Sequence, residues 1–379
     1  MPRIGAHLKK SRAAFLLGAG ASVPLGMPTT RDLREALCAG GPEAPVAREL
    51  HKSASYRFRV AETDINIEDL LEHIYELQLM LWLARRSELP DTLPGMTANT
   101  SILQEADDTL SRLLHRVFEV LHSKCGDCSG GAVHALWQPI LEATSVYQPV
   151  VPVFTLNYDW TFEKLAIERT AEYQLSDGFE LLGGTWDSGR LTKMKPVHGK
   201  TNIALCKLHG STNWLAGGPV KSLGSFPSST THDPDFPPHQ FEMVYPGHVH
   251  EKWFGKESWR PIHGPDAMFG PWIEQEPYLT LYELLGSVLL SAHLLIVVGY
   301  AFHDRHVNEY LAAALDSNAD LRVLVVDPGY SFGSTHVPPF HWLTMADPLD
   351  TDWSRVEWFQ GYFGAPESAT AILTSLDSL

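Results

Sequence analysis

The chain has 379 residues, 44% of them hydrophobic and 20% charged, and a formal net charge of −16 at pH 7. This composition supports a folded chain of one large domain or two and excludes a disordered one. The acidic balance argues against a broad surface for the phosphate backbone of nucleic acids, although it leaves room for a local basic patch.

The cysteine content and the apolar runs of the sequence indicate whether a metal is bound and in which cellular compartment the protein resides. The four cysteines are Cys38, Cys125, Cys128 and Cys206, and so few in a long chain are typical of a reducing compartment. Cys125 and Cys128 have metal-ligand spacing, but no second pair completes a set of four, so we expect no metal. No secretory signal and no apolar run of about 20 residues is visible, so we expect a soluble cytoplasmic protein.

Residues 13–31 predict a strand, a glycine-rich turn and a helix. The apolar run Ala13–Leu17 ends in Gly18–Ser22, which reads Gly-Ala-Gly-Ala-Ser, and a helix is predicted over Thr30–Cys38. Glycines let a backbone turn sharply and approach a ligand, and amides at such a turn favour a phosphate. Val23 stands where the dinucleotide fingerprint has its third glycine, so the turn alone leaves open both a nucleotide site and an ordinary tight turn.

Three further helices are predicted between the helix Thr30–Cys38 and the second strand. Apolar residues at helical spacing indicate helices over Asn66–Arg85 and between Leu103 and Leu121, and a third follows over Val133–Ala143. We interpret residues 61–145 as a helical insertion packed beside a sheet. Its apolar faces either pack on the core or form an interface with a partner or a second copy.

Further apolar runs predict strands that alternate with helices. The strands are Val150–Thr155, Ile203–Leu208, His293–Val298 and Leu321–Val326. One helix follows the residues after the first of these strands and ends at Arg169, and two more are predicted over Tyr278–Leu290 and Asp304–Leu315. Pro152 favours the start of its strand or the edge of the sheet. Residues 216–270 are rich in glycine, proline and aromatic residues and predict an irregular but ordered excursion. From Trp353 we expect a short helix and a loose end.

Strands separated by helices predict an α/β fold with an open, mostly parallel, Rossmann-like sheet of about six strands. We expect one domain over residues 1–379 that contains both the insertion and the excursion. In such sheets ligands bind beyond the carboxyl ends of the strands. Glycine or polar clusters follow five of the strands and should therefore converge on one crevice: Gly18–Ser22, Asn157–Asp159, His209–Gly210, Gly299–Asp304 and Asp327.

In order and combination these motifs resemble those of the sirtuins, the silent-information-regulator family. Gly18–Ser22 is similar to their opening Gly-Ala-Gly-x-Ser loop, and Gly26–Pro28 to the following Gly-Ile-Pro. Leu156–Asp159 resembles the Gln-Asn-Ile-Asp signature, and Leu208–Gly210 contains the His-Gly pair. The resemblance covers the core strands and their loops but not the insertions.

Two departures point to a particular branch of that family. Sirtuin deacylases carry a four-cysteine zinc module after His-Gly, whereas Ser211–Ser291 contains no cysteine. Thr29–Arg31 reads Thr-Thr-Arg in place of Asp-Phe-Arg, so the aromatic residue over the nicotinamide pocket is missing. Both departures, and a run like Gly299–His306, are typical of bacterial sirtuin-like proteins of antiphage defence. Members of this length resemble the type that assembles with a HerA-type hexameric DNA-translocating ATPase.

The resemblance implies NAD as the substrate and no metal. Its catalytic residues would be Asn157, which can hold a ribose hydroxyl or water, Asp159, which would bind the nicotinamide carboxamide, and His209, the proton acceptor. The implied binding residues are Gly18, Ala19, Gly20 and Ser22 at the pyrophosphate, Pro28, Arg31, Gly299 and Tyr300 nearby, and Asp327 at the adenosine ribose.

The predicted function is hydrolysis of NAD to nicotinamide and ADP-ribose by an antiphage effector that is regulated through assembly. Two alternatives stay open: an NAD-dependent protein deacylase, and a non-catalytic scaffold that binds NAD or ADP-ribose. We expect a homo-oligomer and a HerA-type ATPase partner, with no direct nucleic-acid contact and no membrane.

Overall fold

Seven parallel strands form the central sheet in a computed structural model of the chain. In chain order the strands are β1 (Ala13–Leu17), β2 (Val151–Thr155), β3 (Tyr173–Ser176), β4 (Gly184–Thr185), β5 (Thr201–Lys207), β6 (Trp214–Leu215), β7 (Lys221–Ser222), β8 (Leu294–Val298), β9 (Arg322–Val326) and β10 (Val356–Phe359). The order in the main sheet is β10-β9-β8-β1-β2-β5-β3, and each neighbouring pair is parallel. Strands β4, β7 and β6 form a small antiparallel sheet. The predicted α/β class and parallel sheet are thereby confirmed.

The α-helices alternate with these strands. They are α1 (Thr30–Ala39), α2 (Ala44–Phe58), α3 (Gly130–Tyr147), α4 (Thr161–Glu168), α5 (Ser188–Thr192), α6 (Tyr278–Leu289), α7 (Arg305–Ser317) and α8 (Pro366–Asp377). The structure describes residues 8, 12–58, 129–179, 184–211, 214–215, 221–222, 277–302, 304–329 and 353–379, and scattered residues between 62 and 123. Most of the predicted helices 66–85 and 103–121, the excursion 216–270, and Cys125 and Cys128 lie outside the described residues.

Both faces of the central sheet are covered by helices. The inner strands β1 and β8 read as continuous apolar runs, all of them buried, as expected for a parallel sheet with two covered faces. Leu16 packs with α6 and α7 on one face, while Phe15 packs with α3, α4 and α8 on the other. No helix in the described part of the chain is long and apolar enough to cross a membrane.

A third apolar cluster lies beside the sheet. It joins α1 and α2 to helical residues of the predicted insertion, and it includes one residue of the loop after β2. Its buried members are Leu33, Leu37, Ala47, Ile67, Leu70, Ile74, Leu110, Leu113, Val120 and Tyr158. The apolar positions at helical spacing in this segment are therefore packed together where the structure describes them.

Two local expectations have different outcomes. Pro152 lies at the start of its strand, one of the two places expected for it, and β2 lies inside the sheet between β1 and β5. An inner place is possible because pairing with β1 starts only at Val153, after the proline. The tail is not a loose end, since it supplies edge strand β10 and helix α8, whose Ile372 and Leu376 are buried.

Candidate active site

A cleft opens at the carboxyl ends of four adjacent strands, β8, β1, β2 and β5. In the sheet, β1 has β2 as its neighbour on one side and β8 on the other, so the strand order changes direction at β1. Open α/β sheets bind ligands at such a switch point. The space that water-sized molecules can occupy in this cleft is about 100 Å³, and its mouth is open to solvent. The lining residues are Gly18, Ala19, Ser22, Met27, Pro28, Thr30, Leu33, Leu156, Asn157, Tyr158, Asp159, His209, Gly299, Tyr300, Ala301 and Asp304.

Glycines bring the turns after β1 and β8 into backbone contact. Gly299 has a φ of +60°, and a Cβ built there would lie 2.4 Å from backbone atoms of Gly20. A Cβ on Gly18 would lie 2.4 Å from the Gly299 oxygen. The Gly20 N–H donates to that same oxygen at 3.0 Å. These glycines are therefore required for the two turns to approach each other, whatever ligand binds.

The amides of the first turn are largely engaged within the protein. Gly18 N–H donates to Val298 O at 3.0 Å, and Ser22 N–H donates to Ala19 O at 3.1 Å. Ala19 lines the cleft, and its amide makes no backbone hydrogen bond within the described part of the chain. Fewer backbone amides of this turn are therefore available to a phosphate than its glycine content indicates.

Asn157, Ser22 and Asp159 form a buried chain of hydrogen bonds. The Asn157 amide nitrogen donates to Gly18 O at 2.9 Å and to Ser22 Oγ at 3.0 Å. Ser22 Oγ donates to Asp159 Oδ2 at 2.6 Å, and Asp159 Oδ1 accepts from Thr161 N–H at 3.0 Å. Because both Asn157 amide hydrogens are donated, its amide oxygen is the group that can accept from a ligand hydroxyl or a water.

His209 is paired with a carboxylate to which the sequence motifs assign no role. His209 Nε2 lies 2.5 Å from Asp304 Oδ2. Asp304 is also the N-cap of α7, where Oδ1 accepts from Val307 N–H at 3.0 Å. When Nε2 donates to the carboxylate, Nδ1 carries the lone pair that can take a proton.

The charge of Asp304 is maintained by its partners. Burial raises the pKa of this carboxyl, but the His209 hydrogen bond, the His209 charge and the Val307 amide outweigh burial and hold it below its ordinary value. Asp304 is therefore a carboxylate at neutral pH. It can orient the His209 ring and stabilise the protonated imidazole.

Tyr300 supports this part of the site from behind. Its hydroxyl donates to Asn308 Oδ1 at 2.8 Å and lies 3.1 Å from Asp304 O. Asn308 in turn donates to Phe302 O at 2.7 Å, and Phe302 has a φ of +58°. Tyr300 lines the cleft as predicted, but these bonds give it a structural part in holding the loop that carries Asp304.

Three predicted residues do not line the cleft. Gly20 packs against Gly299, and Arg31 is exposed on α1 next to the lining residue Thr30. Asp327 follows β9, one strand beyond the cleft, and accepts from Gly329 N–H at 2.7 Å. Burial raises the pKa of the Asp327 carboxyl, and the Gly329 amide opposes that shift.

Among the described residues no group of three or more His, Cys, Asp and Glu side chains could hold a metal ion. Cys125 and Cys128 are not among those residues, so the expectation of a metal-free protein stays a prediction. The chemistry that the described cleft offers is acid–base and hydrogen-bonding chemistry from one imidazole, two carboxylates and one amide.

Comparisons with known proteins give structural matches but no family. No family model and no curated protein matches the chain. A complex of a Sir2 homologue with NAD matches at 13% identity and a TM-score of 0.40, covering 98% of this chain and 92% of its own. A variant Sir2 homologue with ADP-ribose matches at 15% identity and a TM-score of 0.38, covering 98% and 95%. TM-scores this low do not support a functional assignment, so the function of this chain is inferred from its own residues.

Proposed function

We propose that this protein is an NAD glycohydrolase of sirtuin-like type, which releases nicotinamide and ADP-ribose. The observation that carries the proposal is the convergence of Asn157, Asp159 and His209, from the loops of two strands, on the glycine turn after a third. These residues occur in the order of the sirtuin motifs, and each lines the same cleft. An ordinary tight turn or helix cap would not require that convergence.

Hydrolysis breaks the bond between the nicotinamide nitrogen and ribose C1′, and the oxygen of water bonds to C1′ while that water loses a proton. In this proposal His209 accepts the proton at Nδ1, and Asp304 stabilises the resulting positive charge through Nε2. The Asn157 oxygen holds a ribose hydroxyl or the attacking water, and Asp159 faces the carboxamide of the leaving group.

Hydrolysis is favoured over protein deacylation by what the chain carries around these residues. Ser211–Ser291 contains no cysteine for the zinc module of the deacylases, and Thr30 stands where they have an aromatic residue. Thr30 lines the cleft. A smaller side chain there leaves more room for water beside the nicotinamide position.

The test is turnover of NAD by the pure protein and by His209→Ala. We expect equal amounts of nicotinamide and ADP-ribose without any acyl-lysine peptide, and a loss of roughly 10²–10⁴ in rate for the variant. The exposed His198 gives a matched control, because His198→Ala removes an imidazole that does not line the cleft. Nicotinamide release only when an acyl peptide is added would support the deacylase, and binding of NAD without turnover would support the scaffold.

The proposal includes control of this activity by assembly. A permanently active NAD hydrolase would deplete the NAD of its host cell. We therefore propose that self-association and a HerA-type ATPase restrain or trigger the activity during antiphage defence. The acidic chain is poorly suited to bind DNA itself. The ATPase would supply that contact.

A further inference from the structure

A lysine is fully buried behind the cleft, where its ammonium makes two hydrogen bonds and one ion pair. Lys207 ends β5, two residues before His209, and its side chain is 1% exposed. Its ammonium donates to Asp159 O and to Ser211 Oγ at 2.7 Å, and it forms an ion pair with Glu163 Oε1 at 2.8 Å. An ammonium group has three donors and no acceptor, and here two donors are hydrogen bonded while the Glu163 carboxylate supplies the opposite charge.

The two uncharged acceptors of the Lys207 ammonium lie in the loops after β2 and β5, which carry the proposed catalytic residues. Asp159 lies in the loop after β2, and Ser211 lies in the loop after β5, just beyond His209. Ser211 Oγ also donates to Tyr158 O at 3.4 Å. The Lys207 ammonium thus links the Asn157–Asp159 loop to the His209 loop by two routes, one direct and one through Ser211.

Glu163 is the counter-charge of Lys207. The pKa of its carboxyl is raised to about 7, mainly by burial; the Lys207 charge opposes the rise, and the nearby Asp177 contributes to it. A buried ion pair contributes little to stability compared with apolar residues of similar volume, because its desolvation is costly. Stability alone therefore explains poorly why a pair sits here.

A small internal cavity adjoins the pair. It holds about 10 Å³, close to the space of one water, and Lys207, Glu163, Thr161 and Trp137 line it. Trp137 Nε1, Thr161 Oγ1 and both Glu163 carboxylate oxygens are buried there without a hydrogen-bond partner among the described residues. A water in this cavity would have these polar atoms as hydrogen-bond partners.

We propose that Lys207 is a positioning residue, which sets the distance between the Asn157–Asp159 loop and His209. This inference rests on the proposed function for its kinetic test. The ammonium acts through the loops and does not touch the substrate. Loss of the ammonium should therefore impair turnover much more than the binding of ADP-ribose at the β1 turn.

The decisive variant replaces both charges, Lys207→Met with Glu163→Met. The apolar pair should preserve the midpoint of thermal unfolding, while kcat for NAD hydrolysis falls roughly 10–100-fold and the Kd for ADP-ribose changes less than about threefold. Glu163→Gln keeps the Lys207 bonds to Asp159 and Ser211 and should retain most of kcat. Lys200→Met, at a lysine before β5 that donates to Thr170 O on the surface, is the matched control. If the double variant does not fold, Lys207→Met alone is measured, because Glu163 can take up a proton.

Crystal structures of the wild type and the folded variant give a readout that needs no activity. We expect the Asp159 backbone to shift relative to His209 by about 1 Å. Unmoved loops, or a folded variant with wild-type kcat, would overturn the inference while leaving NAD hydrolysis intact. A wild-type protein that does not hydrolyse NAD would instead remove the proposed function, and the loop positions would still decide the role of Lys207.

Discussion

At the scale of single residues, the pairing of His209 with Asp304 defines what the cleft can do. Asp304 accepts a backbone amide with one carboxylate oxygen and contacts the His209 ring with the other. The first contact begins helix α7, and the second fixes which ring nitrogen carries the lone pair. A single side chain therefore couples the start of a helix to the orientation of the proposed base.

Asp304→Asn separates these two tasks. Asparagine caps helices about as well as aspartate, so α7 and the midpoint of thermal unfolding should be preserved. The variant cannot stabilise a protonated His209 with a carboxylate, so kcat should fall about tenfold or more. Asp187→Asn is the control, since Asp187 caps α5 through Gly189 N–H and does not line the cleft. Wild-type turnover by Asp304→Asn would exclude this carboxylate from the mechanism.

The sequence predicts the residue types at the site better than their contacts. Asn157, Asp159 and His209 are found because each follows an apolar strand. The pairing of His209 with Asp304 spans 95 residues, and no local pattern specifies it. Lys207 reads as the end of a strand, and only the packing of β5 against α4 shows that its ammonium meets Glu163.

At the scale of elements, backbone contact between the turns after β1 and β8 shapes the cleft. Inner strands are predicted well, because continuous apolar runs are buried on both faces. The edge strands β3 and β10 are not predicted from the sequence, because each has four residues of which only one is buried and so lacks a continuous apolar run. Helix α2 also escapes it because Pro45 indicates a break, whereas a proline in the first turn is compatible with a helix.

Gly299→Ala tests the contact between these turns. A methyl group there would meet the backbone of Gly20 at 2.4 Å, which neither turn can relieve by rotating a side chain. Gly199 has a φ of +80° with nothing within 4 Å, so Gly199→Ala measures the cost of the left-handed backbone alone, about 1–2 kcal/mol. We expect Gly299→Ala to lower the free energy of unfolding by clearly more and to weaken ADP-ribose binding. Equal losses in denaturant titrations of the two variants would show that the close approach is not required.

At the scale of the whole molecule, the apolar cluster beside the sheet reaches the cleft through one residue. Tyr158 is buried in this cluster with residues of α1 and of the predicted insertion, and it also lines the cleft. The centroid of its ring lies 6.4 Å from that of His209. A protein that binds the helices of the insertion could therefore alter the site through Tyr158, without contacting NAD.

This path gives the assembly hypothesis a measurable form. We expect the pure protein to be a homo-oligomer in multi-angle light scattering, to form a larger complex with a HerA-type ATPase, and to change its NAD turnover when that complex forms. The catalytic variant His209→Ala should assemble like the wild type, because His209 lies in the cleft and outside the helical cluster. A tenfold or greater change in turnover would correspond to about 1.4 kcal/mol of coupling between the two sites. A monomer in both measurements, with full activity alone, would remove assembly from the function and leave the site unchanged.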